Sequence, residues 1–527
     1  MRLIKNIYNA LSCLLLLIVL CSCQSPKGET KKIRPNILFC IADDASFPHM
    51  GAYGTSWIKT PAFDSVATNG LLFNNAYTPN AKCAPSRACI LTGRNSWQLE
   101  EAANHACYFP LKFKSIIETL GENGYHAGYT EKGWAPGIAL DEEGNRRSLT
   151  GKKYSDIKLT PPTTGISTAD YAANFSQFLD DKPKDNPFIF WYGSREPHRR
   201  FEFMSGAKKG KKEIDEIEKL FSFYPENDSI RHDILDYAYE IEYFDMHLGR
   251  MLEDLEDRGE LDNTIVIVTA DNGMAFPRIK GQAYELSNHL PLAIMWGKGI
   301  VNPGRVIDEY VSFTDFAPTF MDVSGVDFDK SGMSEMEGAS LVNVFEDKEA
   351  RQKRAHMLIG KERHDVGRPD DVGYPIRGIV KGDYLYLMNY KNDRWPSGDP
   401  FTGYLNCDGS PTKTVILNSW PEEKEFWKMS FGKRFKEELY NIKEDAECTD
   451  NLIDNPELSE TLASMKSTMI EQLKLQQDPR ILGNGEIFDN YSYTSRSHVD
   501  FYNRYMGGEC MEAKWVNKSD FDTRSFE

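Results

Sequence analysis

Asn36-Ile-Leu-Phe-Cys-Ile-Ala42 is a short apolar run, and Asp43-Asp44 follow it directly. An apolar run with no polar alternation suits a strand covered on both faces, the usual condition of a parallel sheet. Pro187-Phe-Ile-Phe-Trp-Tyr192, Thr264-Ile-Val-Ile-Val-Thr269 and Pro291-Leu-Ala-Ile-Met-Trp296 share this character, with helical stretches between them. The four runs predict buried parallel strands in an α/β sheet. The other period appears from about Asp233, where Ile234, Ala238, Ile241, Leu248, Leu252 and Leu255 form one helical stripe. Asp245 falls on that stripe, so its carboxylate needs buried donors; a satisfied structural acceptor is the favoured reading.

The character changes after Gly373. Arg377-Gly-Ile-Val-Lys-Gly-Asp-Tyr-Leu-Tyr-Leu-Met388 places Gly382-Asp383 between two strand-like runs, which predicts a hairpin. Lys391 to Lys413 reads as a long polar loop. Pro456 to Gln477 reads as an amphipathic helix with Asn455 as its N-cap. The expected organisation is therefore a catalytic α/β domain over residues 34–373 and an α+β subdomain with an antiparallel sheet over residues 374–527. The polar and aromatic tail either packs back or frays.

Polar residues cluster where the apolar runs stop. Asp43-Asp44 end the first and Asp271-Asn272-Gly273 follow the third. Ser194-Arg-Glu-Pro-His198 follow the second, and Glu131-Lys132 follow His126-Ala-Gly-Tyr129. Open α/β sheets bind ligands at the carboxyl ends of their strands. Three carboxylates and an amide oxygen are hard donors suited to calcium or magnesium. Cys83-Ala-Pro-Ser-Arg87 adds a second feature. Pro85 suits the first turn of a helix, which sets Cys83 at a positive N-terminus with Arg87 one turn on. An anion at Cys83 would meet the helix N–H groups, Arg87 and the metal together. On chemistry alone Cys83 could be a low-pKa thiolate, yet a thiolate is a poor partner for hard oxygen ligands.

Cys83-Ala-Pro-Ser-Arg87 followed by Leu91-Thr-Gly93 resembles the signature of the type I sulfatases. Arg34-Pro-Asn-Ile-Leu38, Thr60-Pro-Ala-Phe-Asp64 and Glu438-Leu-Tyr-Asn441 extend the resemblance over roughly Pro35 to Asn451. It implies an alkaline-phosphatase-like α/β/α core with a small C-terminal sheet. It also implies oxidation of Cys83 to formylglycine (3-oxoalanine) by a sulfatase-maturing enzyme. One Ca2+ ion is implied at Asp43, Asp44, Asp271, Asn272 and the modified Cys83, with Arg87, Lys132, His198 and Lys280 on catalytic positions. In the chemistry so implied, a hydroxyl of the hydrated aldehyde attacks sulfur while His198, helped by Lys280, protonates the leaving atom. Arg87, Lys132 and calcium neutralise the sulfuryl oxygens.

Two places depart from the family pattern. Glu131-Lys132-Gly133-Trp134 lacks the histidine of the usual Gly-Lys-x-His, for which His105 is a candidate substitute. His289 stands where an arginine is common. Asp271-Asn-Gly-Met-Ala-Phe-Pro277 and Glu196-Pro-His198-Arg199 look most like the sulfamidase-like branch, whose members act on sulfated amino sugars. Arg199, Arg363 and His364, the last two in Lys361-Glu-Arg-His-Asp365, are candidate substrate contacts together with His105. The alternative for Arg363 and His364 is a solvated charge run. Lys208, Lys209, Lys211 and Lys212 read as a solvated loop.

The expected function is hydrolysis of sulfate esters at the end of a glycosaminoglycan or mucin-type glycan. An N-sulfamidase on glucosamine is the alternative, and a phosphomonoester or phosphodiester hydrolase of the same fold is a third. That last class uses Ser or Thr where this chain has Cys83. A net charge of −17, from 62 Lys+Arg and 79 Asp+Glu, argues against a nucleic-acid partner. Met1-Arg-Leu-Ile-Lys5, the apolar stretch from Ala10 to Leu20 and Cys21-Ser22-Cys23 have the shape of a signal peptide, residues 1–22. Leu20-Cys21-Ser22-Cys23 also resembles a lipobox. The expectation is therefore export to a Gram-negative-type periplasm or outer membrane, lipidation of Cys23, and residues 23–33 as a tether. The plainer alternative is an ordinary signal peptide. The chain has 10 cysteines, and their spacing contains no CxxC pair of a structural zinc site.

Overall fold

The computed structural model describes residues 34–350, 353–420, 422–522 and 524. The signal segment, Cys23 and the tether fall outside the described residues. The apolar runs form the centre of the molecule. Strand β1 (Asn36–Ala42) lies in the middle of a nine-stranded sheet that also holds β2 (Leu71–Tyr77), β3 (His126–Glu131), β4 (Phe188–Gly193), β5 (Thr264–Ala270) and β6 (His289–Met295). From one side the long strands run β2, β6, β5, β1, β4, β3, and short strands complete both edges. β1 pairs in parallel with both β4 and β5, and β4 in parallel with β3.

Both faces of β1 are buried because alternate residues enter different cores. Leu38, Cys40 and Ala42 pack into one cluster and Ile37, Phe39 and Ile41 into the other. Helices α1 (Pro61–Thr68) and α3 (Asp228–Asp257) cover the first face. Helix α2 (Cys83–Thr92) and the helix Phe316–Ser324 cover the second. The result is a three-layer α/β/α core, which is why continuous apolar runs appear where one-sided strands would alternate.

The Pro291 run departs from its expected direction. β6 is antiparallel to both β2 and β5. No long helix separates β5 from β6; the chain loops over the carboxyl edge through Asp271–Asn288 and re-enters from the same side. A parallel return would require a crossover to the far edge. An apolar run records burial on both faces but carries no sign of direction, so the reversal was invisible in it.

Helix α3 starts at Asp228, where Asn227 accepts from the Ser229 N–H, five residues ahead of the expected start. Asp245 is buried on it and accepts from the Ala62 and Phe63 N–H groups at 2.9 and 2.7 Å. It thus caps the first turn of α1 across the helix interface. The C-terminal sheet has four antiparallel strands, Met357–Lys361, Ile376–Lys381, Tyr384–Asn389 and Glu437–Asn441. Its first strand precedes the change of character at Gly373. The hairpin turns at Gly382-Asp383 as its sequence predicts, with Lys381 opposite Tyr384 and Gly382 at φ +59°. The stretch 391–413 is largely irregular, but it contains a short helical turn at Pro400–Thr402 and the start of the helix Pro411–Asn418. The tail packs back, with Phe501, Met511 and Val516 buried against Val366 and Leu405. Cys40, Cys83, Cys89, Cys107, Cys407, Cys448 and Cys510 are all unpaired. No helix among the described residues is long and apolar enough to cross a membrane.

Replacing Asp245 by Ala strands two buried backbone donors of α1. The expected loss is about 2 kcal/mol or more, read as a lower urea midpoint, with activity per folded molecule unchanged.

Candidate active site

Parallel strands deliver their ends to one edge. In register, Ala42 lies opposite Ala270, Ile41 opposite Gly193, and Glu131 opposite Gly193. The backbone continues these pairings beyond the strands: Asp271 N–H donates to Ala42 O at 3.2 Å, Asp43 N–H to Glu196 O at 3.0 Å, and Lys132 N–H to Gly193 O at 3.0 Å. Asp43, Asp44, Lys132, His198, Asp271 and Asn272 are thereby brought together. Asp44 sits at φ +78°, a conformation aspartate tolerates better than most residues, and its N–H donates to Asp271 Oδ1 at 3.1 Å.

Helix α2 aims its N-terminus into this cluster. Cys83 is its first residue, Lys82 at the N-cap makes no side-chain capping bond, and Gly93 closes the helix at φ +69°. The Cys83 thiol lies 3.4 Å from Asp43 Oδ1 and 3.9 Å from Asp44 Oδ1, and only 1% of the residue is exposed. One turn on, Arg87 Nε donates to Asp271 Oδ2 at 2.8 Å and its Nη1 to the Lys132 and Gly133 carbonyls. Its Nη2 makes no hydrogen bond, although Asp43 lies 3.7 Å away.

Three further cations or potential cations complete the ring. Lys132 bonds Asp43 directly. Lys280 Nζ sits between Asp44 at 2.6 Å and Asp408 at 2.9 Å. His198 Nε2 lies 3.9 Å from Asp44, while its Nδ1 is 2.7 Å from the Arg199 carbonyl. That carbonyl can only accept, so Nδ1 carries a proton and Nε2 faces the site. Lys132 and His198 have side chains 14% and 33% exposed, whereas Arg87, Asp43, Asp44, Asp271 and Lys280 are almost fully enclosed.

The electrostatics follow from packing charges out of water. Burial would raise the Asp43 pKa, but Lys132, His198 and Arg87 outweigh it and hold the group at about 2. Burial likewise works against the charge on Lys132 and Lys280. The carboxylates win in both cases, so both lysines are held above their ordinary range. Cys83 goes the other way: burial and then Asp43 push its thiol well up, and Lys132 does not compensate. The thiolate reading fails here, because the N-terminal turn and Arg87 are outweighed by desolvation and three nearby carboxylates.

Oxygen atoms of Asp43, Asp44 and Asp271 and the Cys83 sulfur lie within 4.8 Å of one another, close enough to share an ion. Asn272 gives its Nδ2 to Asp44 at 2.7 Å, leaving its buried Oδ1 without a partner. A buried orphan acceptor beside three carboxylates fits a hard divalent cation. A thiol does not suit such an ion as well as an oxygen at the same place would.

The remaining candidates are placed differently. Arg199 spends its guanidinium on Asp233, at 2.7 and 2.8 Å, and on the Ala275 carbonyl, between the Phe201 and Phe276 rings. Lys361 to Asp365 are all buried, so a solvated charge run does not describe them. Arg363 points at the Asp489 carbonyl and the Tyr493 ring; His364 bonds Asn80 at 3.1 Å. Gly281, at φ +70°, lies so close to His364 that a Cβ there would stand 2.9 Å from its Nδ1. His105 pairs with Asp365 at 3.0 Å, and Asp365 also holds Lys82 at 3.2 Å, the residue before Cys83. Trp134, in place of the usual histidine, donates its indole N–H to the Ala84 carbonyl and so braces the first turn of α2. His289 stacks on Phe47 and Tyr77 and pairs with Glu285 at 2.6 Å, a structural position. Lys212 is buried on Glu242 and the Trp57 carbonyl, unlike the solvated loop expected of its neighbours.

Asp408 was missed by the sequence analysis. Its residue lies in the polar stretch 391–413, with an ordinary Asp-Gly turn as its only local mark. Only the packing of the C-terminal region against the core brings it to Lys280.

A sulfatase profile matches residues 35–326, more than half of the chain, and the C-terminal profile of N-sulphoglucosamine sulphohydrolase matches residues 279–394. The chain belongs to the sulfatase family and is a sulfuric ester hydrolase. It is 26% identical to human N-sulphoglucosamine sulphohydrolase over 515 residues, covering 89% of this chain and 94% of that one. It is 28% identical to an N-acetylglucosamine-6-O-sulfatase of Bacteroides thetaiotaomicron, covering 62% and 73%. A structure solved with its substrate D-glucosamine-2-N,6-O-disulfate superposes with a TM-score of 0.56 at 20% identity, covering 84% of this chain and 98% of that one. A 2-O glycosaminoglycan sulfatase superposes with a TM-score of 0.61 at 17% identity, covering 88% and 98%. These likenesses establish the alkaline-phosphatase-like fold with its C-terminal antiparallel sheet.

Before maturation, Cys83 should resist iodoacetamide at about pH 8 while the exposed Cys510 reacts, read by peptide mass. Equal rates would show an accessible thiolate and contradict this burial.

Proposed function

We propose that this sulfatase removes sulfate from a terminal glucosamine-type sugar of a sulfated glycan, using a formylglycine made from Cys83 and a bound calcium ion. The observation that carries the reading is Cys83 at the N-terminus of α2, set among three carboxylates and ringed by Arg87, Lys132 and Lys280. The glucosamine element is supported by the C-terminal profile match and by near end-to-end similarity to human N-sulphoglucosamine sulphohydrolase. Those same observations favour an N-sulfate as the second reading beside an O-sulfate. Among the site side chains, appreciable exposure is confined to Lys132 and His198, which suits entry of a chain end.

Asp43, Asp44, Asp271 and the free Oδ1 of Asn272 would hold the calcium, which when bound polarises oxygens as a Lewis acid. Formylglycine supplies a hydroxyl nucleophile where the thiol now stands. Arg87, Lys132 and Lys280 are placed to bind sulfuryl oxygens, and their positive charge is secured by the carboxylates behind them. Asp408 holds Lys280 as a second carboxylate partner at 2.9 Å. His198, with Nδ1–H fixed on the Arg199 carbonyl, can give a proton from Nε2 to the departing oxygen or nitrogen. Export, the lipid anchor at Cys23 and dependence on a sulfatase-maturing enzyme belong to this proposal on sequence grounds.

Two measurements test it. Calcium should raise the melting temperature of the matured protein by mass action, and Asp271→Ala should abolish the rise. An unchanged melting temperature in the wild type would remove the metal. Matured enzyme should release sulfate from glucosamine 6-O-sulfate or N-sulfoglucosamine. His198→Ala should slow that reaction about a hundredfold or more, and an activated aryl sulfate far less. Equal losses on both would remove His198 as the acid.

A further inference from the structure

A second cationic site lies on the far side of the loop that carries Lys280. Arg278, two residues before Lys280, projects into a cleft of about 540 Å³ between the core and the C-terminal sheet. Its other walls come from the loop around Trp395, the helix Lys424–Phe431 and the segment Gly432–Phe435. The lining cations are Arg278, Lys424, Lys428, Lys433 and Arg434, five in all, against a single lining carboxylate, Glu438. That carboxylate is already satisfied, accepting from Tyr284, Tyr440 and Asn389 at 3.1, 2.5 and 2.6 Å.

Four of the five cations have no ion pair among the described residues. Lys428 pairs with Glu425 at 2.9 Å. Lys424 and Lys433 have exposed side chains and no ion pair among the described residues. Arg278 is 5% exposed, and its two terminal nitrogens go to the Met429 and Cys448 carbonyls. Its Nε has no acceptor, and neither has the buried Nε of Arg434. Two guanidiniums with orphan N–H groups flank the same Tyr284 ring, at 4.3 and 5.5 Å. Unpaired buried donors of this kind call for an anionic acceptor.

Aromatic faces alternate with these charges. Trp427 is buried and touches both Trp395 and Trp420 edge-on, at 5.9 and 4.8 Å between centroids. Trp395 and Trp420 are half-buried, with Lys433 Nζ over the first ring at 5.0 Å, and with Lys424 Nζ and the Arg524 guanidinium over the second at 4.4 and 5.6 Å. Indole rings hold these ammonium groups in place, and ammonium and guanidinium groups match sulfates. The chain as a whole carries −17, so a concentrated positive cleft runs against the global field and selects a local polyanion.

We propose that this cleft is a non-catalytic binding site for an internal stretch of a sulfated glycan. Sulfate groups meet Lys424 and Lys433, whose ammonium groups lie over Trp420 and Trp395, and are drawn toward the unpaired Nε–H groups of Arg278 and Arg434. The choice of a sulfated glycan as the polyanion rests on the function proposed above. The cleft would hold the polymer near the enzyme while its end is processed.

The test uses a heparin-derived hexasaccharide, its desulfated N-acetylated counterpart, and the full chain at about 0.15 M salt. Lys424→Glu with Lys433→Glu alters exposed side chains only, so the fold is expected to persist, checked by melting temperature. Calorimetry should show one hexasaccharide fewer bound per chain than in the wild type, or affinity about tenfold lower with a shallower salt dependence. The desulfated probe should bind neither protein at this site, and turnover of a sulfated monosaccharide should be unchanged. Loss of hexasaccharide binding in an enzyme that ignores sulfated glucosamine would uphold the cleft while refuting the substrate reading. Wild-type-like binding in the double variant overturns the proposal. So does equal binding of the desulfated probe, and so does a dimer that dissociates in the variant with no glycan bound, since a second copy would then be the occupant.

Discussion

The structure depends on one electrostatic constraint, the enclosure of Asp43, Asp44 and Asp271 at a single sheet edge. Three buried carboxylates with oxygens a few ångströms apart repel one another strongly. The chain answers with Arg87, Lys132 and Lys280, each bonded to one of them. Every element that supplies a cation is thereby pinned: α2 through Arg87, the end of β3 through Lys132, and the return loop through Lys280.

The backbone makes that arrangement rigid before any side chain acts. Hydrogen bonds from Asp43, Lys132 and Asp271 carry the parallel ladder past the ends of the strands. Side chains so mounted are anchored by the sheet as well as by their loops, the rigid support that a preorganised charged site needs. His198 is the counterexample. It lies on the irregular segment after β4, held by one ring nitrogen on the Arg199 carbonyl, and is the most exposed of the site residues. The proton-donor role proposed for it requires that access.

Around this centre the C-terminal region does more than cover the core. Asp408 reaches Lys280, Asp365 ties Lys82 to His105, and the tail packs over Leu405. Trp134 and His289 show how departures from a family pattern are absorbed. Trp134 braces the Ala84 carbonyl, and His289 keeps a carboxylate partner in Glu285. Neither change disturbs the ring of charges.

The α/β class, the gathering of charged residues at the strand ends, and the placing of Cys83 and Arg87 on the first turn of one helix were legible in the sequence. They rest on local facts: apolar runs report two-sided burial, an acid just after such a run must sit at a strand end, and Cys83 to Arg87 is one helical turn. The direction of β6, the buried role of Arg199, the enclosure of Arg363 and His364, and the arrival of Asp408 were decided by the tertiary structure. Direction leaves no trace in the composition of a strand, and an arginine reads alike whether its partner is substrate or Asp233. Asp408 and Lys280 stand 128 positions apart (408 − 280). Their attraction exists only once folding has removed the water between them, and no local pattern records it.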